Sequence, residues 1–165
     1  MPRNTFLAAG GFNVNLPAAF DIELGYRLKR KGLPLVYIPN ALGHHHDDKD
    51  FRRLAADIES EGRAFFEMYR SHPPLLPYLV RILHAESLRA LLLRRILHMA
   101  DLPKGILNFV GRLLIKQSLA YRWYRFLRKY FFWRGVRQAV NDRDTWRRLT
   151  RGTLILMYHA FGRPI

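Results

Sequence analysis

Residues 20–32 read Phe20-Asp21-Ile22-Glu23-Leu24-Gly25-Tyr26-Arg27-Leu28-Lys29-Arg30-Lys31-Gly32 and carry both ends of a helix. Asp21, Leu24, Gly25 and Leu28 fall at i, i+3, i+4 and i+7, one face of a helix over residues 21–31. Basic residues crowd its last turn and Gly32 follows as the C-cap. This spacing sets Asp21 at the edge of the buried face, where a helix N-terminus favours the ionised carboxylate. Two readings of Asp21 stay open. It is a helix-capping group, or it is a base that accepts a proton from an attacking hydroxyl. Spacing alone favours capping.

Working outward, Phe6 to Ala9 form a short apolar piece that ends in a turn at Gly10-Gly11. Leu35-Val36-Tyr37-Ile38 reads as a buried strand closed by Pro39-Asn40. His44-His45-His46-Asp47-Asp48 then forms a polar loop at the strand's carboxyl end, where α/β proteins place ligands. The spacing of a complete zinc site is missing, so residue types alone favour a plain loop. A second helix is expected over 50–69, with Phe51, Leu54, Ile58, Phe65 and Met68 as its apolar positions. Asp48-Lys49-Asp50 reads as its acidic start, and Pro73-Pro74 stops the chain after it. Basic helices fill 78–100 and 105–140, broken at Asp101-Leu102-Pro103 and Gly105, and 153–158 is a β-branched, apolar run expected as a strand. The expected class is α+β, mostly helical.

Of the 165 residues 49% are hydrophobic, enough for a real core, and the lack of cysteine removes disulfides, thiolate metal sites and cysteine nucleophiles. The formal net charge of +15 asks for a polyanionic partner. Its distribution divides the chain: residues 1–72 are nearly neutral, 73–151 carry almost all the excess, and 152–165 add only Arg163. Arg81, Glu86, Arg89, Arg94 and Arg95 interrupt the most apolar stretch, 78–100, and argue against a membrane span. The first eleven residues lack the long apolar region of a secretory signal. Between 105 and 137 large aromatics alternate with cations, a pattern suited to a helix lying among lipid headgroups. Arg112, Lys116, Arg122, Trp123, Arg125, Lys129 and Trp133 are therefore expected to hold an anionic membrane surface, at roughly 1 kcal/mol per cation. Burial of these aromatics against other parts of a protein is the competing reading. Nucleic acid is not expected, because no recognition motif accompanies the charge.

Asn4-Thr5-Phe6, Gly10-Gly11-Phe12-Asn13, the 20–28 helix and Gly32-Leu33-Pro34 through His44-His45 follow one another in an order that resembles the second half of inverting family 2 glycosyltransferases of the GT-A fold. The likeness extends to Glu61-Gly62-Arg63-Ala64 and covers about seventy residues. It implies that Asp21 is the catalytic base, that Glu23 and Arg27 support the acceptor, and that His45 binds the metal or the diphosphate. Phe20 stands where the family has Glu. It further implies a nucleotide-sugar donor, a glycan or lipid-linked acceptor near a membrane, and a divalent metal (Mg or Mn). Location would be cytoplasmic, on the inner face of the membrane. The family's nucleotide-binding strands and metal-binding D-x-D are not in these residues, so the chain by itself is expected to be inactive. Residues 153–165 resemble more weakly the first strand of a polysaccharide deacetylase, with His159 in a structural role. The organisation implied is the acceptor-side end of a transferase domain (1–72), a basic amphipathic helical region (73–151) and the start of a deacetylase domain (152–165). The alternative is a non-catalytic helical module that binds membrane surfaces.

Overall fold

A computed structural model describes residues 1–34, 36–44, 46, 48–75, 88–114, 116–147 and 149. The expectations for His45 and for the strand and deacetylase likeness at 153–165 lie outside these residues. Among the described residues every regular element is helical: α1 (Arg3–Ala8), α2 (Phe20–Arg30), α3 (Phe51–Ser71), α4 (Leu88–Ala100), α5 (Lys104–Leu113) and α6 (Gln117–Ala139), with a 3-10 turn at Pro73–Leu75 and further helical residues at 143–147.

Gly10 and Gly11 take positive φ (85° and 63°) and turn the chain after α1, as the paired glycines require. At the end of α2 the N–H of Gly32 donates to the carbonyl of Lys29 and that of Leu33 to Leu28. These two bonds form the Schellman closure. Leu28 and Leu33 pack in the same small cluster as Ala9 and Leu24, which seats α2 on the end of α1. The start of α2 differs from expectation. Its N-cap is Ala19, in the left-handed region, and no side chain caps the helix, so Asp21 stands inside the first turn with no capping bond. By contrast Asp50 caps α3, accepting from the backbone N–H of Arg53 at 2.7 Å.

The expected strand at 35–38 does not form among the described residues. Val36, Tyr37 and Ile38 are irregular and exposed. A strand is stable only when a neighbour pairs with its edge and another layer covers its face. The described chain offers neither.

The main body is α3 laid along α6. Two glycines set their crossing: a Cβ on Gly62 would lie 2.1 Å from the Phe132 carbonyl oxygen, and one on Gly135 would lie 2.0 Å from that of Glu59. The near-neutral and basic parts of the sequence thus share a core. Ala55 and Ile58 of α3 meet Leu127, Tyr130 and Phe131 of α6, with Leu97 of α4 and Leu107 of α5 closing one end. Phe65, Phe66, Trp133, Val136 and Val140 fill the other. Glu59, buried within this crossing, receives Lys104 at 2.8 Å and lies 3.7 Å from Arg134, which also reaches Asp101 at 2.8 Å. One ionic network thereby ties α3, α5, α6 and the end of α4.

Candidate functional site

Among the described residues a cavity of about 530 Å³ opens where the start of α2 meets α3 and α6. Ala18, Ala19, Asp21 and Ile22 form the α2 side. On α3 the lining residues are Ile58, Glu61, Phe65 and Met68, and on α6 they are Arg125, Arg128, Lys129 and Phe132. The floor is apolar and the charges stand around it. Each wall follows from helical spacing: 58, 61, 65 and 68 share one stripe of α3, and 125, 128, 129 and 132 share one stripe of α6.

Two devices hold α2 in this position. Leu16, Ala18 and Ala19 pack on Ala64 and Met68 of α3, bringing the first turn of α2 to the cavity edge. Behind it, Glu23 is 2% exposed and accepts from Arg27 at 2.7 and 2.9 Å, with His72 Nε2 3.0 Å away at the end of α3. Arg27 also donates to the carbonyl oxygens of Ala9 and, at 2.6 Å, Gly11. Burial works to raise the Glu23 pKa, yet the hydrogen bonds and charges of Arg27 and His72 prevail and hold it below the ordinary carboxylate range. Phe20 joins an aromatic relay, its ring 5.4 Å from Phe12, which lies 5.3 Å from Phe6.

Of the residues singled out from the sequence, Asp21 reaches the cavity wall. Glu23 and Arg27 do not line it; they turn inward and spend their hydrogen bonds on each other, on His72 and on the backbone, so their part is to position α2. His44 and His46 are exposed, and among the described residues no group of three or more His, Asp or Glu side chains converges as a ligand set.

The expected membrane-binding set divides. Arg112, Lys116 and Arg122 are exposed. Arg125, also exposed, and half-buried Lys129 line the cavity. Trp133 is a core residue packed with Phe65, Phe66 and Val136, and Trp123 is half-buried with its indole N–H donating to the Leu107 carbonyl at 3.0 Å. These two rings face protein, because α3 and α5 occupy the sides of α6 that carry them.

Sequence reasoning missed Glu61 and Arg128, although the stripe positions named above would have exposed both. Two outward apolar faces stand out, the first within the 105–137 stretch expected among lipid headgroups and the second on α4, which the sequence reading did not mark. Ile106, Phe109, Val110 and Leu113 run at i, i+3, i+4 and i+7 along the exposed side of α5, away from the buried Leu107 and Gly111. Leu92, Ile96 and Met99 do the same on α4, across the helix from Leu97 and from His98, whose ring lies 4.7 Å from Tyr130. Exposed Arg89, Arg95 and Arg112 accompany these faces. No described helix is long and apolar enough to cross a membrane.

No family model matches the chain, and among curated proteins and solved structures none matches it either.

Proposed function

We propose that this chain is the acceptor-side portion of an inverting nucleotide-sugar glycosyltransferase, seated on an anionic membrane surface. The observation that carries the reading is Asp21. It stands in the first turn of α2 on the wall of an apolar-floored cavity, and it is not consumed as a helix cap. A carboxylate so placed accepts the proton of an acceptor hydroxyl as that oxygen attacks the anomeric carbon and the bond to the nucleotide diphosphate breaks. Glu23, Arg27 and His72 fix the helix that aims it. The family's divalent ion would steady the departing diphosphate; the described residues do not gather a ligand set for it, so proton transfer is the only step assigned to this chain.

The apolar faces of α4 and α5, flanked by arginines, support placement at a membrane. They equally support the second reading, a non-catalytic membrane-binding module. A transfer assay separates the two. The product of the complete reading frame, given labelled nucleotide sugars and membrane extract, is expected to transfer sugar, while the 165-residue chain alone shows no appreciable turnover. A complete reading frame that adds no nucleotide-binding half, or transfer by the 165 residues alone, would overturn the first reading.

A further inference from the structure

Another concavity, of about 310 Å³, lies among the described residues where the last turns of α3 meet the end of α6. Phe66, Tyr69 and Arg70 of α3 form one wall, and Asn141, Asp142 and Thr145, just past α6, form the other. On α3 these positions lie on a different stripe from 58, 61, 65 and 68, and the two cavities share no lining residue. The base belongs to the core. Phe66 is buried with Trp133 and Val136, and Tyr69 packs on the same cluster, its ring 6.4 Å from that of Phe66. Across from it, Asp142 accepts from the backbone N–H of Thr145 at 2.6 Å, which fixes the turn that carries the second wall.

The charged groups of this concavity are already engaged. Asp142 serves as a cap, and Arg70 donates to Glu67 at 3.4 Å. By contrast, the Tyr69 hydroxyl, the Asn141 amide and the Thr145 hydroxyl have no hydrogen-bond partner among the described residues. Hydroxyls and amides each both donate and accept. A complementary ligand is therefore uncharged, carries several groups that also donate and accept, and offers an apolar face to the Tyr69 ring. A pyranose meets all three conditions, because its hydroxyls ring the edge while its axial C–H bonds form a flat apolar face. An ion would find no uncommitted charge, and a plain hydrocarbon would leave three polar groups unpaired. We propose that this concavity is a carbohydrate subsite, in which the Tyr69 ring packs on one neutral pyranose and the Tyr69, Asn141 and Thr145 side chains bind its hydroxyls. The site stands apart from the Asp21 cavity and does not depend on the transfer reading.

Cellobiose, whose equatorial substituents leave both ring faces apolar, is the probe, titrated into the isotope-labelled 165-residue chain and followed by amide NMR shifts. Saturable shifts centred on residues 66–70 and 139–145 are expected, in the millimolar range. Sorbitol, a polyol without a fixed apolar face, is expected to bind roughly tenfold or more weakly. Tyr69→Phe/Asn141→Ala keeps the ring, removes two of the polar groups and is expected to lose roughly tenfold or more. Asp21→Asn is expected to bind cellobiose as the parent does. Circular dichroism confirms that each variant keeps its helices. Absence of saturable shifts, shifts centred on the Asp21 cavity or loss of binding in Asp21→Asn would overturn the proposal. So would sorbitol binding as tightly as cellobiose, adenosine binding more tightly, or undiminished binding by the double variant. The transfer reading is judged separately, by sugar turnover.

Discussion

The inward turn of Glu23 shows how one buried carboxylate organises the approach to the cavity. Its oxygens receive Arg27 and His72, and Arg27 in turn fastens the loop after α1. Removing the charge strands a guanidinium beside a half-satisfied backbone, so Glu23→Gln is expected to cost about 2–4 kcal/mol, read from the urea unfolding midpoint. The same carboxyl is held below its ordinary pKa of 4.5, so it contributes stability above that pH and the contribution disappears as pH falls through the folded value. His98 acts over a different window. Burial first, then the nearby Arg94, Arg134 and Arg137, push its pKa down from 6.5 to about 4. The unfolded chain therefore binds a proton that the folded chain refuses between those values, and stability falls with acidification across that interval. His98→Leu is expected to flatten the pH dependence of the melting temperature between pH 6.5 and about 4; an unchanged slope would show that His98 is not the group responsible.

At the scale of elements, what could be read from the sequence was what short-range chemistry decides. Gly32 ends α2 and Asp50 starts α3 because each acts on backbone groups within four residues of itself. Residues 36–38 of the expected strand are irregular for the opposite reason: an apolar run is a request for a partner, and partnership is not local. Nor was the buried side of α6 legible, since large apolar residues surround its axis and only contact with α3 and α5 selects among them. The α3–α6 crossing depends on missing side chains. Gly62→Ala and Gly135→Ala each drive a methyl into backbone at 2.1 and 2.0 Å, atoms that cannot rotate away. Each is expected to destabilise by about 2 kcal/mol or more despite the better helix propensity of alanine, checked by thermal unfolding. Ile58→Val, which shortens a buried α3 residue by one methyl without introducing glycine, serves as a comparison for lost packing without overlap.

On the scale of the whole molecule, the net charge of +15 and the outward apolar faces of α4 and α5 are what the proposed membrane surface rests on. Vesicles with about 30% anionic lipid are expected to pull the chain down in sedimentation, and Phe109→Asp/Leu113→Asp to release most of it while secondary structure persists. Zwitterionic vesicles are expected to bind far less. A DNA shift at matched salt with no vesicle binding would contradict the assignment of this surface. The cavity was only half legible beforehand. Asp21 was marked by the family resemblance, its place in α2 alone favouring a cap, whereas Arg125 and Lys129 of the α6 wall were expected at lipid because no sequence pattern says that α6 folds back over α3.

The account as a whole turns on the carboxylate at the mouth of that cavity. The sharpest test of the proposed transfer is the turnover of the product of the complete reading frame carrying Asp21→Asn, measured with saturating donor and acceptor beside the parent. The substitution keeps size and shape and removes only the ability to take a proton. A fall in kcat of roughly 10²–10⁴, with the thermal midpoint unchanged, is the predicted result. A kcat within about threefold of the parent would contradict it, because general-base catalysis of this kind contributes far more than that.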